Sequence, residues 1–165
     1  MTRSLHTSVA AAAAAMALGA CLAPQAAMAD ELVDATDAKK LVSIIRDLGY
    51  RAELETDAMG DPLIRSSVGG TRFAIVFYGC DEKRHDNCDL LLYKVGYDMK
   101  EGVDLDVVNR WNATQLVGRA YRDDVDDPWL EMAWNMTGGV SARNFESTFE
   151  WWEVTVAEFE EHIGF

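Results

Sequence analysis

Two cysteines and a histidine lie close together in the middle of the chain, and their residue types suit chemistry. Cys80 and Cys88 enclose a wholly polar segment that contains His85. Thiolate and imidazole are common zinc ligands, and Asp81 and Asp86 add carboxylates to the same segment. The two cysteines can instead form a disulfide bond. Their gap of seven residues is wider than the usual spacing of a zinc-binding cysteine pair, which favours the disulfide.

The segments on either side of this loop predict two strands that hold the cysteines together. Thr71–Tyr78 is rich in β-branched and aromatic residues, and Leu90–Tyr97 has the same character. An antiparallel hairpin of these strands places Cys80 and Cys88 at facing ends, within bridging distance. A disulfide closing this small loop should contribute about 2–3 kcal/mol. We therefore expect a disulfide and no metal ligands here.

A run of acidic residues from Asp123 to Asp127 is similar to the start of a calcium-binding loop. Asp124 and Asp126 match the first two ligand positions of an EF-hand, but Pro128 occupies the third. No glycine follows where such a loop must turn. The run is therefore predicted to be a solvated turn between two strands.

Nothing in the sequence points to a catalytic site. Neither His85 nor His162 lies beside a serine or cysteine nucleophile in a known signature. Carboxylate pairs are too numerous to be informative without a cleft. We expect a protein that is not an enzyme and uses no cofactor, with a hydrolase or metal enzyme as the weaker alternative.

The first 29 residues have the features of a bacterial secretory signal peptide. Arg3 gives a positive start, Val9–Leu22 is an apolar run, and Ala27-Met-Ala29 provides the small residues that signal peptidase requires. The apolar run of 14 residues is shorter than the roughly 20 needed to span a bilayer. We expect a periplasmic or secreted protein that begins at Asp30 and has no membrane span.

A second processing signal lies inside the same segment. Leu18-Gly-Ala-Cys21 is similar to a lipobox, in which the cysteine is lipidated and becomes the mature N-terminus. A lipid anchor at Cys21 is therefore the alternative to a free N-terminus at Asp30. Either route leaves Cys80 and Cys88 in an oxidising compartment, which also favours the disulfide.

Residues 30–165 have the length of one domain and are strongly acidic. Without Arg3, 14 Lys and Arg residues face 28 Asp and Glu residues. A surface of this charge repels nucleic acid and anionic membranes and favours basic or neutral partners.

Periodicity predicts the element order α-ββββ-α-ββ-α. The first helix is capped by Thr36 and stopped by Gly49, the second is capped by Asp104, and the third begins at Ser141. Besides the two central strands, the predicted strands are Arg51–Glu55, Leu63–Val68, Arg119–Asp123 and Trp129–Trp134. The short connections favour an α+β domain, with helices packed on an antiparallel sheet.

All five tryptophans follow residue 110, and tryptophan is both a core residue and a frequent binding residue. Trp129 and Trp134 are five residues apart in one strand and must point to opposite faces. Trp151 lies about 100° from the apolar stripe of the last helix, at a core edge or a contact surface. The candidate partner surface comprises Trp111, Trp129, Trp151 and Asn112, and the alternative is that these side chains build the core.

Several segments together resemble the YbjN-domain family. They are Asn109-Arg-Trp-Asn112, Arg119-Ala-Tyr121, Gly138-Gly-Val140 and Phe149-Glu-Trp-Trp152, with Phe77-Tyr-Gly-Cys80 and Cys88 upstream. The likeness covers nearly all of residues 30–165 and is most specific at Asn109-Arg-Trp-Asn112. It implies a fold like that of type III secretion chaperones, with helices on a twisted antiparallel sheet, often dimeric. The family is described as sensory transduction regulators, which implies protein contacts without catalysis.

Two functions follow as hypotheses. The first is a noncatalytic module that binds an unidentified protein or peptide. The second is a structural or stress-related envelope protein that has no separate ligand and associates with itself, for example as a homodimer. The secretion chaperones act in the cytoplasm, so the export signal limits how far their client role can be carried over.

Overall fold

The computed structural model describes residues 32–165, so the predicted signal peptide, the start at Asp30 and the lipobox Cys21 lie outside the described residues. The helices are α1 (Ala38–Asp47), α2 (Leu105–Thr114) and α3 (Ala142–Ile163). The strands are β1 (Leu32–Val33), β2 (Arg51–Thr56), β3 (Pro62–Val68), β4 (Thr71–Tyr78), β5 (Leu90–Gly96), β6 (Arg119–Arg122), β7 (Pro128–Asn135) and β8 (Val140–Ser141). The predicted α+β class and the order of the longer elements are confirmed. The two-residue strands β1 and β8 pair with each other and were not predicted.

Six strands form one antiparallel sheet in the order β2-β3-β4-β5-β7-β6. The β3–β4 hairpin closes through Gly69 and Gly70, whose φ angles of 56° and 95° suit a tight two-residue turn. After β5 the chain leaves the sheet through α2, and β6 and β7 return as a hairpin in which β7 pairs with β5. None of the helices in the described part is long and apolar enough to cross a membrane.

The helices pack on one face of this sheet and enclose the core. The apolar stripe of α3 contributes Phe149 and Trp152, whose exposed fractions are both 0%. Their rings meet Phe73 of β4 and Tyr93 of β5 at centroid distances between 5.4 and 6.3 Å. Because side chains alternate along a strand, the residues between these core positions point to the opposite face.

The first and last helices begin at capping side chains, whereas Asp104 occupies the predicted N-cap position of α2 without a side-chain capping bond. Asp37, and not the predicted Thr36, caps α1, because its carboxylate accepts hydrogen bonds from the backbone N–H groups of Lys39 and Lys40. Thr36 instead donates its hydroxyl to the Asp34 carboxylate, two residues earlier. The predicted cap Ser141 does begin α3, and it accepts a bond from the Asn144 N–H.

Candidate functional site

The sheet face away from the helices, here called the outer face, is uncovered within residues 32–165. Its side chains form three rows across the strands, as the pairing register requires. The polar row contains Glu53, Arg65, Ala74, Lys94, Glu131 and Arg119. The Arg–Trp row contains Arg51, Ser67, Arg72, Gly96, Trp129 and Tyr121. The apolar row contains Leu63, Val76, Leu92 and Ala133.

A groove of about 700 Å³ runs along the outer face. Its charged lining consists of Arg51, Arg65, Arg72, Lys94, Glu53 and Glu55, and Trp129 lies at one end. Ala74, Val76 and Gly96 contribute small or apolar surface to the same groove. The groove therefore combines cationic walls, an aromatic ring and an apolar side, a combination suited to recognising another molecule.

The Trp129 indole is fixed in place at the end of the groove. A Cβ atom at Gly96 would come within 2.6 Å of this ring, so the ring lies against the glycine backbone. The indole Nε1 donates to the Asp123 carboxylate at 3.0 Å, and this bond is the main cause that lowers the pKa of Asp123. The backbone N–H of Asp123 also bonds the Asp127 carbonyl, which closes the acidic run into a turn between β6 and β7. This turn holds the Asp123 carboxylate that orients Trp129.

Beside Trp129, a buried carboxylate collects two cations and a phenol. Glu131 is only 7% exposed; it accepts bonds from the Arg119 guanidinium and, at 3.1 Å, from the Tyr121 hydroxyl. Lys94 Nζ lies 3.3 Å from the same carboxylate and 4.6 Å from the Trp129 ring centroid. Burial raises the pKa of Glu131, but the bonds from Arg119, Lys94 and Tyr121 outweigh it and leave the pKa lowered. The positive charge of Lys94 is therefore balanced by the Glu131 carboxylate.

The three arginines of the groove differ in how they are paired. Arg65 lies 3.1 Å from Glu55 across the β2–β3 pair, and Arg51 lies 3.9 Å from Glu53. Arg72 is exposed and makes no ion pair with any residue that the structure describes. Its guanidinium is thus the cation of this groove that is available to an anionic ligand.

Trp111 and Asn112 lie elsewhere and join α2 to the sheet. Trp111 is 1% exposed, and its indole donates to the Gly118 carbonyl at 2.9 Å. The Asn112 amide donates to the Ala120 carbonyl and accepts from the Ala120 N–H, both at 2.8 Å. Asn112 therefore joins α2 to the backbone of β6, and the Trp111 ring belongs to the core.

Trp151 lies on the helix side, away from Trp129. It is 52% exposed and borders a small cleft together with Leu116, which is 98% exposed, and the half-buried Trp134. The four predicted surface residues thus occupy three separate places, and of these four the outer face holds Trp129. Sequence reasoning did not single out Arg65, Arg72 and Lys94, although strand alternation along β3, β4 and β5 could have placed these three on one face of the sheet.

The cysteine loop is closed and fastened to a neighbouring turn. Cys80 and Cys88 are joined by the predicted disulfide. His85 Nδ1 lies 2.9 Å from the Asp61 carboxylate of the β2–β3 turn, and its φ of 55° turns the loop back on itself. Over residues 32–165, no group of three or more histidine, cysteine or carboxylate side chains is arranged to hold a metal ion.

A comparison with protein families matches residues 37–165 to the YbjN model, described as "Putative bacterial sensory transduction regulator". No curated protein and no solved structure matches the chain.

Proposed function

The chain belongs to the YbjN family, and we propose that it is a noncatalytic regulatory module that binds a protein or peptide on the outer face of its sheet. The observation that carries this proposal is the one-sided packing of the fold. All three helices contribute side chains to the core on one side of the sheet. The other side offers a groove with the fixed Trp129 ring and with Arg72, which has no ion pair among residues 32–165. Tryptophan and arginine are enriched among the residues that dominate protein interfaces.

The edges of the sheet are less suited to binding than its face. On the edge strand β2, the Arg46 guanidinium bonds the Ala52 carbonyl at 2.6 and 3.0 Å. The same strand carries Arg51, Glu53 and Glu55, and charged side chains discourage the pairing of a further strand. The opposite edge strand, β6, has only four residues. The outer face is therefore the better candidate.

The proposal includes export to the periplasm or the medium. The signal-like residues 1–29 support it, and so does the disulfide, because such bonds persist in oxidising compartments. The intact mass of the protein purified from a bacterial envelope or medium fraction tests this. A chain beginning at Asp30 supports export, a lipid on Cys21 supports the anchored alternative, and an unprocessed chain in the cytoplasm contradicts export.

Blocking the groove tests where the partner binds. Ser67 lies in the Arg–Trp row and is half-buried, so Ser67→Trp should fill the groove without entering the core. Ser43 is exposed on α1, on the helix side, and Ser43→Trp is the matched control. Tagged wild-type and variant proteins are cross-linked in the envelope fraction, and the captured proteins are identified by mass spectrometry.

We expect a specific partner with wild type and Ser43→Trp, and its loss with Ser67→Trp at unchanged urea midpoint. Equal capture by both variants would contradict binding on the outer face. Capture of nothing except other copies of this chain would favour the self-associating envelope protein, and light scattering of the purified protein would then show a homodimer.

A further inference from the structure

We infer that the groove binds an acidic segment of a partner protein in extended conformation, an inference that rests on the proposed function. The evidence is a local reversal of charge, an arginine that makes no ion pair with the described residues, and the dimensions of the groove.

The outer face has the opposite charge from the rest of the protein. The chain has a net charge of −13, which taken alone favours a basic partner. The groove is lined by four cationic side chains, Arg51, Arg65, Arg72 and Lys94, and by two carboxylates, Glu53 and Glu55. Because Lys94 is balanced by the adjacent Glu131, the three arginines against the two glutamates leave one net positive charge. A locally positive groove in an acidic protein concentrates the field on that groove and attracts anionic segments to it.

Two arginines are positioned to bind carboxylates. Arg72 is exposed and has no ion pair within the described residues. Arg65 is paired with Glu55, but the two side chains are 55% and 47% exposed, so this pair contributes little and is readily exchanged. A guanidinium binds a carboxylate through two parallel hydrogen bonds. Both arginines can therefore bind carboxylates of a ligand without breaking a strong ion pair within the protein.

The dimensions of the groove suit an extended peptide. Its lining comes from five neighbouring strands, β2 to β5 and β7, which at about 4.8 Å between strands span roughly 19 Å. An extended chain advances about 3.3 Å per residue, so about six residues cross the groove. Because successive side chains point to opposite sides, alternate residues can face Arg65 and Arg72 while the others face the apolar row.

A nucleic acid fits this groove less well. Glu53 and Glu55 line it and would repel a continuous phosphate backbone. Of the two aromatic residues in its lining, Phe73 belongs to the buried core, which leaves only the Trp129 ring for stacking. Nucleic-acid grooves instead use several stacking rings with uniformly positive walls. A peptide can place its few carboxylates beside the arginines and avoid the two glutamates.

Fluorescence anisotropy with defined peptides tests the inference on the whole mature chain. The probe is a fluorescein-labelled peptide of eight residues in which Glu and Thr alternate, compared with the Lys–Thr and Gln–Thr peptides and with an oligothymidylate. Arg65→Ala and Arg72→Ala are introduced together, and Arg143→Ala, an exposed arginine of α3, is the matched control. Urea unfolding of each variant verifies that it folds.

We expect the Glu–Thr peptide to bind, with affinity at least about fivefold lower in the double variant and unchanged in Arg143→Ala. Raising the salt from about 50 to 500 mM should weaken binding several-fold, because it screens exposed charges.

Several results would overturn the inference. They are equal binding of the Lys–Thr or Gln–Thr peptide, tighter binding of the oligothymidylate, no binding of the Glu–Thr peptide, and equal loss in Arg143→Ala. If Ser67→Trp nevertheless abolishes capture of the partner, the proposed function stands and the acidic ligand alone is refuted.

Discussion

Replacing Glu131 by glutamine should destabilise the protein through the loss of one buried charge. The substitution keeps the size of the side chain and one acceptor oxygen. It leaves Lys94, whose side chain is 31% exposed, without its anion, and it weakens the bond from Arg119, which is 72% exposed. Bonds to charged groups contribute about 1.5–3 kcal/mol when buried, and exposed pairs about 0.2–1 kcal/mol. We therefore expect the free energy of unfolding to fall by about 1.5–2.5 kcal/mol at pH 7.

The same argument fixes the pH dependence of this effect. The folded protein lowers the pKa of Glu131 below its ordinary value of 4.5, because the bonds from its cationic partners outweigh the effect of burial. The ionised carboxylate therefore stabilises the fold fully above about pH 4.5. This contribution is lost as the pH falls through the lowered pKa. The difference between wild type and Glu131→Gln should thus shrink on acidification below that value.

Urea unfolding followed by circular dichroism at pH 7 and at about pH 3 measures this difference. Glu158→Gln, at an exposed position of α3, is the control and should change the free energy of unfolding by less than about 0.5 kcal/mol. The reasoning is refuted if Glu131→Gln is as stable as the control at pH 7, or if its deficit is undiminished at the lower pH.

Three further comparisons of variants by urea unfolding test other parts of the structure. Replacing Cys80 and Cys88 by serine should lower the free energy of unfolding by about 2–3 kcal/mol, because the unfolded chain gains conformational entropy without the disulfide. A reductant should have no further effect on this variant. Equal stability with and without the disulfide would contradict the prediction. Asn112→Ala should cost about 1–3 kcal/mol because it leaves backbone groups of β6 unpaired, and a neutral result would remove its proposed role in joining α2 to the sheet. Trp152→Ala should lower the free energy of unfolding by about 3–5 kcal/mol because it truncates a core side chain, whereas Trp151→Ala should lower it by less than about 1 kcal/mol. Similar losses in the two variants would contradict the placement of Trp152 in the core and of Trp151 at the surface.

The local elements could be predicted because their signals are short-range. The β-branched run before Cys80 and the paired glycines at 69 and 70 specify strands and a turn without reference to the rest of the chain. The N-cap of α1 could not be assigned in this way. Asp34, Thr36 and Asp37 are all capping residue types, and the choice depends on which carboxylate reaches the first free N–H groups of the helix.

The outer face was only partly predictable. The turn at Gly69–Gly70 sets the register that brings Arg65 and Arg72 to one face, so these two arginines were within reach of sequence reasoning. The cluster around Glu131 was not, because it requires β7 to insert between β5 and β6. That strand order depends on how α2 packs, and it brings together residues that are far apart in the sequence.

The placement of the tryptophans shows the same limit. Alternation correctly separates Trp129 from Trp134, because both belong to one strand. It carries no information on Trp111, whose burial depends on the packing of α2 against Phe159 of α3. The sequence analysis therefore placed Trp111, Trp151 and Trp129 on one candidate surface because of their residue type. The structure places them in the core, on the helix side and on the outer face, respectively.

Site-specific photo-cross-linking in living cells tests the central claim most directly. A photoreactive amino acid is placed at Arg72, on the outer face, and in a matched variant at Arg143, on the helix side. We predict that the residue at position 72 cross-links to one defined partner protein and that the residue at position 143 does not. A partner captured equally from both positions, or from position 143 alone, would contradict binding on the outer face.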